Sequence, residues 1–69
     1  MQRQPVKSSN IRSLGYDEVS HMLEIEFSSG DVYQYFDVPP REYQALMQAP
    51  SHGSYLNKHI KDKYKFKRL

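Results

Sequence analysis

The sequence contains no cysteine. That removes disulfides and thiolate metal sites together, so packing or a partner chain must hold the domain. A cysteine-free chain also fits a reducing compartment. No apolar stretch of signal-peptide length follows Met1-Gln2-Arg3-Gln4-Pro5, and no run approaches the roughly 20 apolar residues of a membrane span. A cytoplasmic soluble protein is the expectation. Internal repeats, linkers and low-complexity stretches are also missing. The 69 residues are enough for one domain, 1–69, and too few for two, which limits any pocket to a shallow one.

What is present is unevenly charged. The last twelve residues hold Lys58, Lys61, Lys63, Lys65, Lys67 and Arg68 against Asp62 alone, a net +5. The preceding 57 residues hold four cations against seven carboxylates, a net −3. The body is mildly acidic and the tail strongly basic.

Residues 1 to 7 are expected to fray. Ser8 to Tyr16 alternates weakly, with Leu14 and Tyr16 on one side of a first strand. In His21 to Phe27 the residues Leu23, Ile25 and Phe27 recur at every second position with Glu24 and Glu26 between them, the pattern of a half-buried strand. Ser28-Ser29-Gly30-Asp31 is a turn, and Val32-Tyr33-Gln34-Tyr35-Phe36 is rich in β-formers. Two hairpin registers compete. A two-residue Ser29-Gly30 loop pairs Phe27 with Val32 and turns Tyr33 and Tyr35 outward beside the glutamates. A three-residue loop with Gly30 left-handed pairs Ile25 with Tyr33 and Leu23 with Tyr35, turning the tyrosines inward. The second is preferred because it leaves Gln34 outside.

Val38-Pro39-Pro40 ends the sheet, since proline cannot donate to a ladder, and Pro40 suits the first turn of a helix. That helix runs to about Ala49, with Tyr43, Leu46 and Met47 on its inner stripe. Pro50 stops it. Ser51 caps a second helix reaching about residue 62, with Tyr55, Leu56, His59 and Ile60 inward and Asn57, Lys58 and Lys61 in water. The fold expected is α+β, a three-stranded antiparallel sheet followed by two short helices, β-β-β-α-α. Tyr64-Lys65-Phe66-Lys67-Arg68-Leu69 alternates apolar and basic residues, as an extended segment along the domain or a free arm would.

A series of small features runs through the chain in order: Ser8-Ser9, Gly15-Tyr16-Asp17, the strand Leu23 to Phe27, Gly30, Tyr33-Gln34-Tyr35, Val38-Pro39, Ala49-Pro50-Ser51-His52-Gly53, then Tyr55, Asn57, Ile60, Tyr64 and a basic end. Each is common alone, but the series resembles the KTSC domain, a family named after an extension at the C-terminus of some lysyl-tRNA synthetases. The resemblance covers nearly the whole chain. It implies a small domain found alone in bacterial and phage proteins or appended to a synthetase, with RNA binding proposed for it and no catalytic residues. No synthetase catalytic domain is present here, so aminoacylation is not implied.

Several constellations are candidates for chemistry. Lys58, Lys61, Lys63, Lys65, Lys67 and Arg68, interleaved with Tyr64 and Phe66, combine cations for a phosphate backbone with rings that can stack on bases. The plainer reading is a solvated, solubilising charge run. Tyr33 and Tyr35 are stacking platforms if the sheet face is open and core residues if it is covered. Ser8, Ser9, Ser51, His52, Gly53, Ser54 and Asn57 can gather an anion at the second helix's start, or serve only as caps and turns. His21, His52 and His59 are the obvious general bases, but without thiolates, a His-x-x-x-His pair or neighbouring carboxylates they form no metal or triad pattern.

The function expected is that of a small non-catalytic binding module without cofactor or metal, taking RNA or single-stranded nucleic acid through its basic C-terminal segment. The alternative is a protein-interaction adaptor or homodimerising domain using exposed tyrosine, Met22 and a sheet edge.

Overall fold

A computed structural model describes residues 3–69. Five antiparallel strands form one meander in the order of the chain: β1 (Arg3–Pro5), β2 (Ile11–Asp17), β3 (Met22–Phe27), β4 (Val32–Tyr35) and β5 (Phe66–Arg68). Between β4 and β5 lie α1 (Pro40–Gln48) and α2 (His52–Tyr55), the latter running directly into a π-helical turn, Leu56–Ile60. The order is thus β-β-β-β-α-α-β, a correction of the three-stranded expectation. Arg3–Pro5, within the segment expected to fray, pairs with Gly15, Leu14 and Ser13 of β2. Met1 and Gln2 lie outside the described residues.

The β3–β4 hairpin takes the inward register: Leu23 opposes Tyr35 and Ile25 opposes Tyr33, while Glu26, not Phe27, opposes Val32. Gly30 sits at φ +97, and the turn closes through Phe27 N–H to Asp31 O at 2.9 Å and Gly30 N–H to Phe27 O at 2.9 Å. Because directly opposed residues share a face, Glu24 and Gln34 fall together on the outer face, where the Gln34 amide donates to Glu24 at 2.9 Å. An extra residue at Arg12 bulges β2 and brings Ile11 to the inner face opposite Phe27.

The inner face carries the core: Ile11 and Leu14 from β2, Leu23 and Ile25 from β3, Tyr35 from β4, then Val38, Leu46, Leu56 and Ile60. Val38 is held at both ends, its N–H donating to His21 O at 2.9 Å and its carbonyl accepting from the Tyr16 hydroxyl. This fixes where the chain leaves the sheet to enter α1. That helix then lies across β2, with the Tyr43 ring stacked on Tyr16 at 4.7 Å and Leu46 fully buried beneath. Among the described residues, no helix is long and apolar enough to cross a membrane.

Candidate functional site: an aromatic groove beside the basic strand

The helices are too short to cover the whole inner face. They seal its centre but leave the turn end of the β3–β4 hairpin uncovered, so Phe27 and Tyr33 are only partly buried. The result is a groove of about 370 Å³, walled by Phe27, Tyr33 and Tyr35 on the sheet side and by Leu56, Asn57 and Lys61 on the helical side. Asn10 and the Ser28–Asp31 turn complete its lining.

Each wall has a local cause. The Ser8–Asn10 loop turns on the Ser8 hydroxyl, which accepts from the Asn10 and Ile11 N–H groups, both at 3.3 Å. Ser28 then clamps it to the hairpin, its N–H donating to Asn10 O at 2.8 Å and its hydroxyl reaching the Ser9 and Asn10 carbonyls at 3.0 and 2.9 Å. Asn10 leans on Gly53 of α2, where an added Cβ would meet the Asn10 side-chain nitrogen at 3.2 Å. On the other wall the π turn closes through Lys61 N–H to Leu56 O at 2.8 Å. It keeps Leu56 and Ile60 in the core while setting Asn57 and Lys61 on the groove.

The widened turn also corrects the helical stripe read from the sequence. His59 was expected inward, but it is exposed and lies against the Tyr55 ring at 4.5 Å. An α-helical period assigns His59 to the buried side. A turn closed by i to i+5 bonds does not.

The basic segment is neither one patch nor a free arm. Its last residues form β5, which pairs with β4: Phe66 opposes Tyr35, Lys67 opposes Gln34 and Arg68 opposes Tyr33. Flanking bonds from Phe36 N–H to Lys65 O and from Leu69 N–H to Val32 O hold it at 2.9 and 2.8 Å. Phe66 and Arg68 therefore share the face of Tyr33 and Tyr35, and Lys67 is on the opposite face. The Phe66 ring lies 5.5 Å from Tyr33 and 5.7 Å from Tyr35, yet the residue remains 53% exposed.

Arg68 bonds Asp31 at 2.9 Å, which neutralises the carboxylate at the groove. Lys61 makes no ion pair among the described residues and is the cation that lines the groove. Lys63 stands 5.5 Å over the half-buried Tyr64 ring, Lys65 is exposed, and Lys58 borders a separate shallow depression with Ser51, Ser54 and His59. Of the sequence candidates, Tyr33, Tyr35, Asn57 and Lys61 line the groove, while Phe66 and Arg68 contact its residues Tyr33 and Asp31.

Tyr35 is 3% exposed and belongs to the core, whereas Tyr33 is half-buried and presents part of its ring to the groove. Burial, followed by the neighbouring Tyr33 and Asp62, raises the Tyr35 phenol above its ordinary value. Glu24 and Glu26 lie on the other face of the sheet. There Arg3 faces Glu24 at 3.5 Å, and Ser13 donates to Glu26 at 2.9 Å. They do not stand between the tyrosines and an approaching phosphate.

Ser51, Gly53, Ser54 and Asn57 do not converge. Ser51 accepts the Ser54 N–H at 3.2 Å as a helix cap, Gly53 is buried against Asn10, and Asn57 faces the groove on the far side. His52 bonds the Leu46 carbonyl at 2.8 Å and His21 sits in the exposed β2–β3 turn. Among the described residues no group of three or more histidine or carboxylate side chains is placed to hold a metal. Sequence reasoning missed Asn10, Phe27, Ser28 and Asp31 as groove residues. Periodicity marked Phe27 as inward but cannot say which inward residues the helices leave bare.

Comparison with known proteins agrees with this architecture. The KTSC domain model matches residues 7–64. A protein of Stutzerimonas stutzeri is 47% identical over 64 residues, covering 93% of this chain and 90% of its own length. A lysine–tRNA ligase of Nostoc punctiforme is 46% identical over 63 residues, 91% of this chain but only 11% of the ligase. The crystal structure of a KTSC domain protein from Yersinia pestis superimposes with a TM-score of 0.93 at 46% identity, covering 99% of this chain and 96% of that one. A chain with this sheet, these helices and this extent of match belongs to the KTSC domain family.

Proposed function

We propose that the domain is a non-catalytic module that binds single-stranded RNA at the aromatic groove and along β5. The observation that carries this reading is the pairing of β5 with β4. It draws the basic tail onto the sheet and sets the exposed Phe66 ring beside Tyr33, with Lys61 and Lys65 free to meet phosphates. Rings flanked by unpaired cations suit a strand whose bases are unstacked and whose backbone is anionic. A relative named as a lysine–tRNA ligase carries the same domain, which lends the reading context.

Fluorescence anisotropy with short labelled single-stranded RNA, duplex RNA and DNA, at low and physiological salt, tests it. Single-stranded RNA is expected to bind saturably and more weakly as salt rises. Phe66→Ala should weaken binding about tenfold, the scale of one lost base stack. Replacing Lys65, Lys67 and Arg68 together should lower affinity and flatten the salt dependence. Absence of binding at low salt would overturn the proposal and leave the adaptor reading, whose mark is salt-resistant association with a polypeptide or a concentration-dependent mass.

A further inference from the structure

We infer that the groove is a slot for one unstacked nucleotide, with the base against Phe27 and Tyr33, its edge at the Asn57 carboxamide and its phosphate at Lys61. The inference rests on the RNA reading and specifies what its central site takes.

Four observations converge on it. The groove's roughly 370 Å³ falls in the range of about 300 to 1,000 Å³ typical of small-ligand sites. Its floor is aromatic and its rim polar, the combination that stacks a base and reads its edge. Asn57 is exposed and has no hydrogen-bond partner among the described residues, so its carboxamide keeps both a donor and an acceptor available. On the groove lining Asp31 is already matched by Arg68 at 2.9 Å, which leaves Lys61 as the lining charge without a partner among the described residues, with the Asp62 carboxylate near Tyr35 as an opposing group.

The helical wall adds a structural reason. Asn57 and Lys61 come to the groove from the π turn, a local departure from α-helical geometry that recurs at functional sites. The loop bearing Asn10 is pinned from both sides, by Ser28 and by contact with Gly53, so the walls are formed before any ligand arrives.

The test is an amide NMR titration of the intact chain with the four ribonucleoside 5′-monophosphates and the matching nucleosides, alongside anisotropy with the four RNA homopolymers. Asn57→Ala and Lys61→Gln are the variants, both at exposed positions outside the core. The expected result has three parts. Monophosphates shift amides around Asn10, Ser28, Tyr33 and Asn57 and leave the outer face unmoved. Asn57→Ala lowers the preference among homopolymers about tenfold, the scale of one base-edge contact. Lys61→Gln removes the advantage of a monophosphate over its nucleoside. If homopolymers bind equally, and monophosphates leave those amides unshifted while RNA still binds, the slot is wrong and the RNA reading stands. If neither monophosphate nor oligonucleotide binds at low salt, both fall.

Discussion

Two glycines illustrate how differently the same substitution acts at two positions. Gly30 sits at φ +97 with nothing within 4 Å of an added Cβ, so alanine there meets backbone strain and no clash. The expected cost is about 1 kcal/mol, the penalty for an L-residue held in left-handed backbone, read as a lowered denaturant midpoint. At Gly53 the terms oppose. Alanine favours the helix by about 1 kcal/mol, but its Cβ would press on the Asn10 side-chain nitrogen at 3.2 Å. That nitrogen ends a flexible side chain and can move a few tenths of an ångström. Gly53→Ala is therefore expected to change stability by less than about 1 kcal/mol while shifting the amide signals of Asn10 and its groove neighbours. A loss above that would mean the Ser8–Asn10 loop cannot give.

At the scale of elements, the parts that bury apolar side chains were legible and the parts that do not were hidden. Leu23, Ile25 and Phe27 alternating with glutamate announced β3, and Gly30 in its turn decided the inward register of Tyr33 and Tyr35. Neither Arg3-Gln4-Pro5 nor Phe66-Lys67-Arg68 buries a residue: the first carries no hydrophobic period, and the alternation of Tyr64 to Leu69 marks an extended segment without showing that it pairs with the sheet. The free edges of β2 and β4 recruit them through the backbone, which any sequence can supply. The π turn was hidden for a related reason, because Leu56 and Ile60 satisfy an α-helical spacing as well as the one adopted. The same division predicts unequal costs. Leu46→Ala empties a fully buried site in α1 and should cost about 2 to 5 kcal/mol, enough to unfold much of so small a domain. Removing residues 65–69 takes away a few edge hydrogen bonds, the half-exposed Phe66 ring against Tyr33 and Tyr35 and the exposed Arg68–Asp31 bond, but no core side chain. It should cost about 1 to 2 kcal/mol and leave a cooperative unfolding transition, while RNA binding is lost. Retained affinity after that truncation would separate the groove from β5.

Over the whole molecule, the tyrosines tie stability to alkaline pH. Tyr16, Tyr35, Tyr43 and Tyr55 each have a phenol raised above its ordinary value of about 10, with burial the leading cause in every case. Nearby carboxylates add to it, Glu18 for Tyr16 and Glu42 for Tyr55, whose hydroxyl meets Glu42 at 3.2 Å. A phenol is neutral when protonated, so a raised folded value means the native state holds its protons where the unfolded chain has begun to release them. The stability this contributes is fully present below the unfolded value near 10.0 and is lost as pH rises through the folded values. These residues join three parts of the fold: Tyr16 stacks α1 on β2 through Tyr43, Tyr35 anchors β4, and Tyr55 links α2 to α1 through Glu42. Ionising any one of them therefore strains contacts between elements. Tyrosinate absorbance during a base titration should rise late and steeply, together with loss of tertiary structure. Tyr55→Phe should remove its share of the pH dependence and leave the rest. Independent titration of these four tyrosines near the free value, with the fold intact, would show that burial does not hold their phenols neutral.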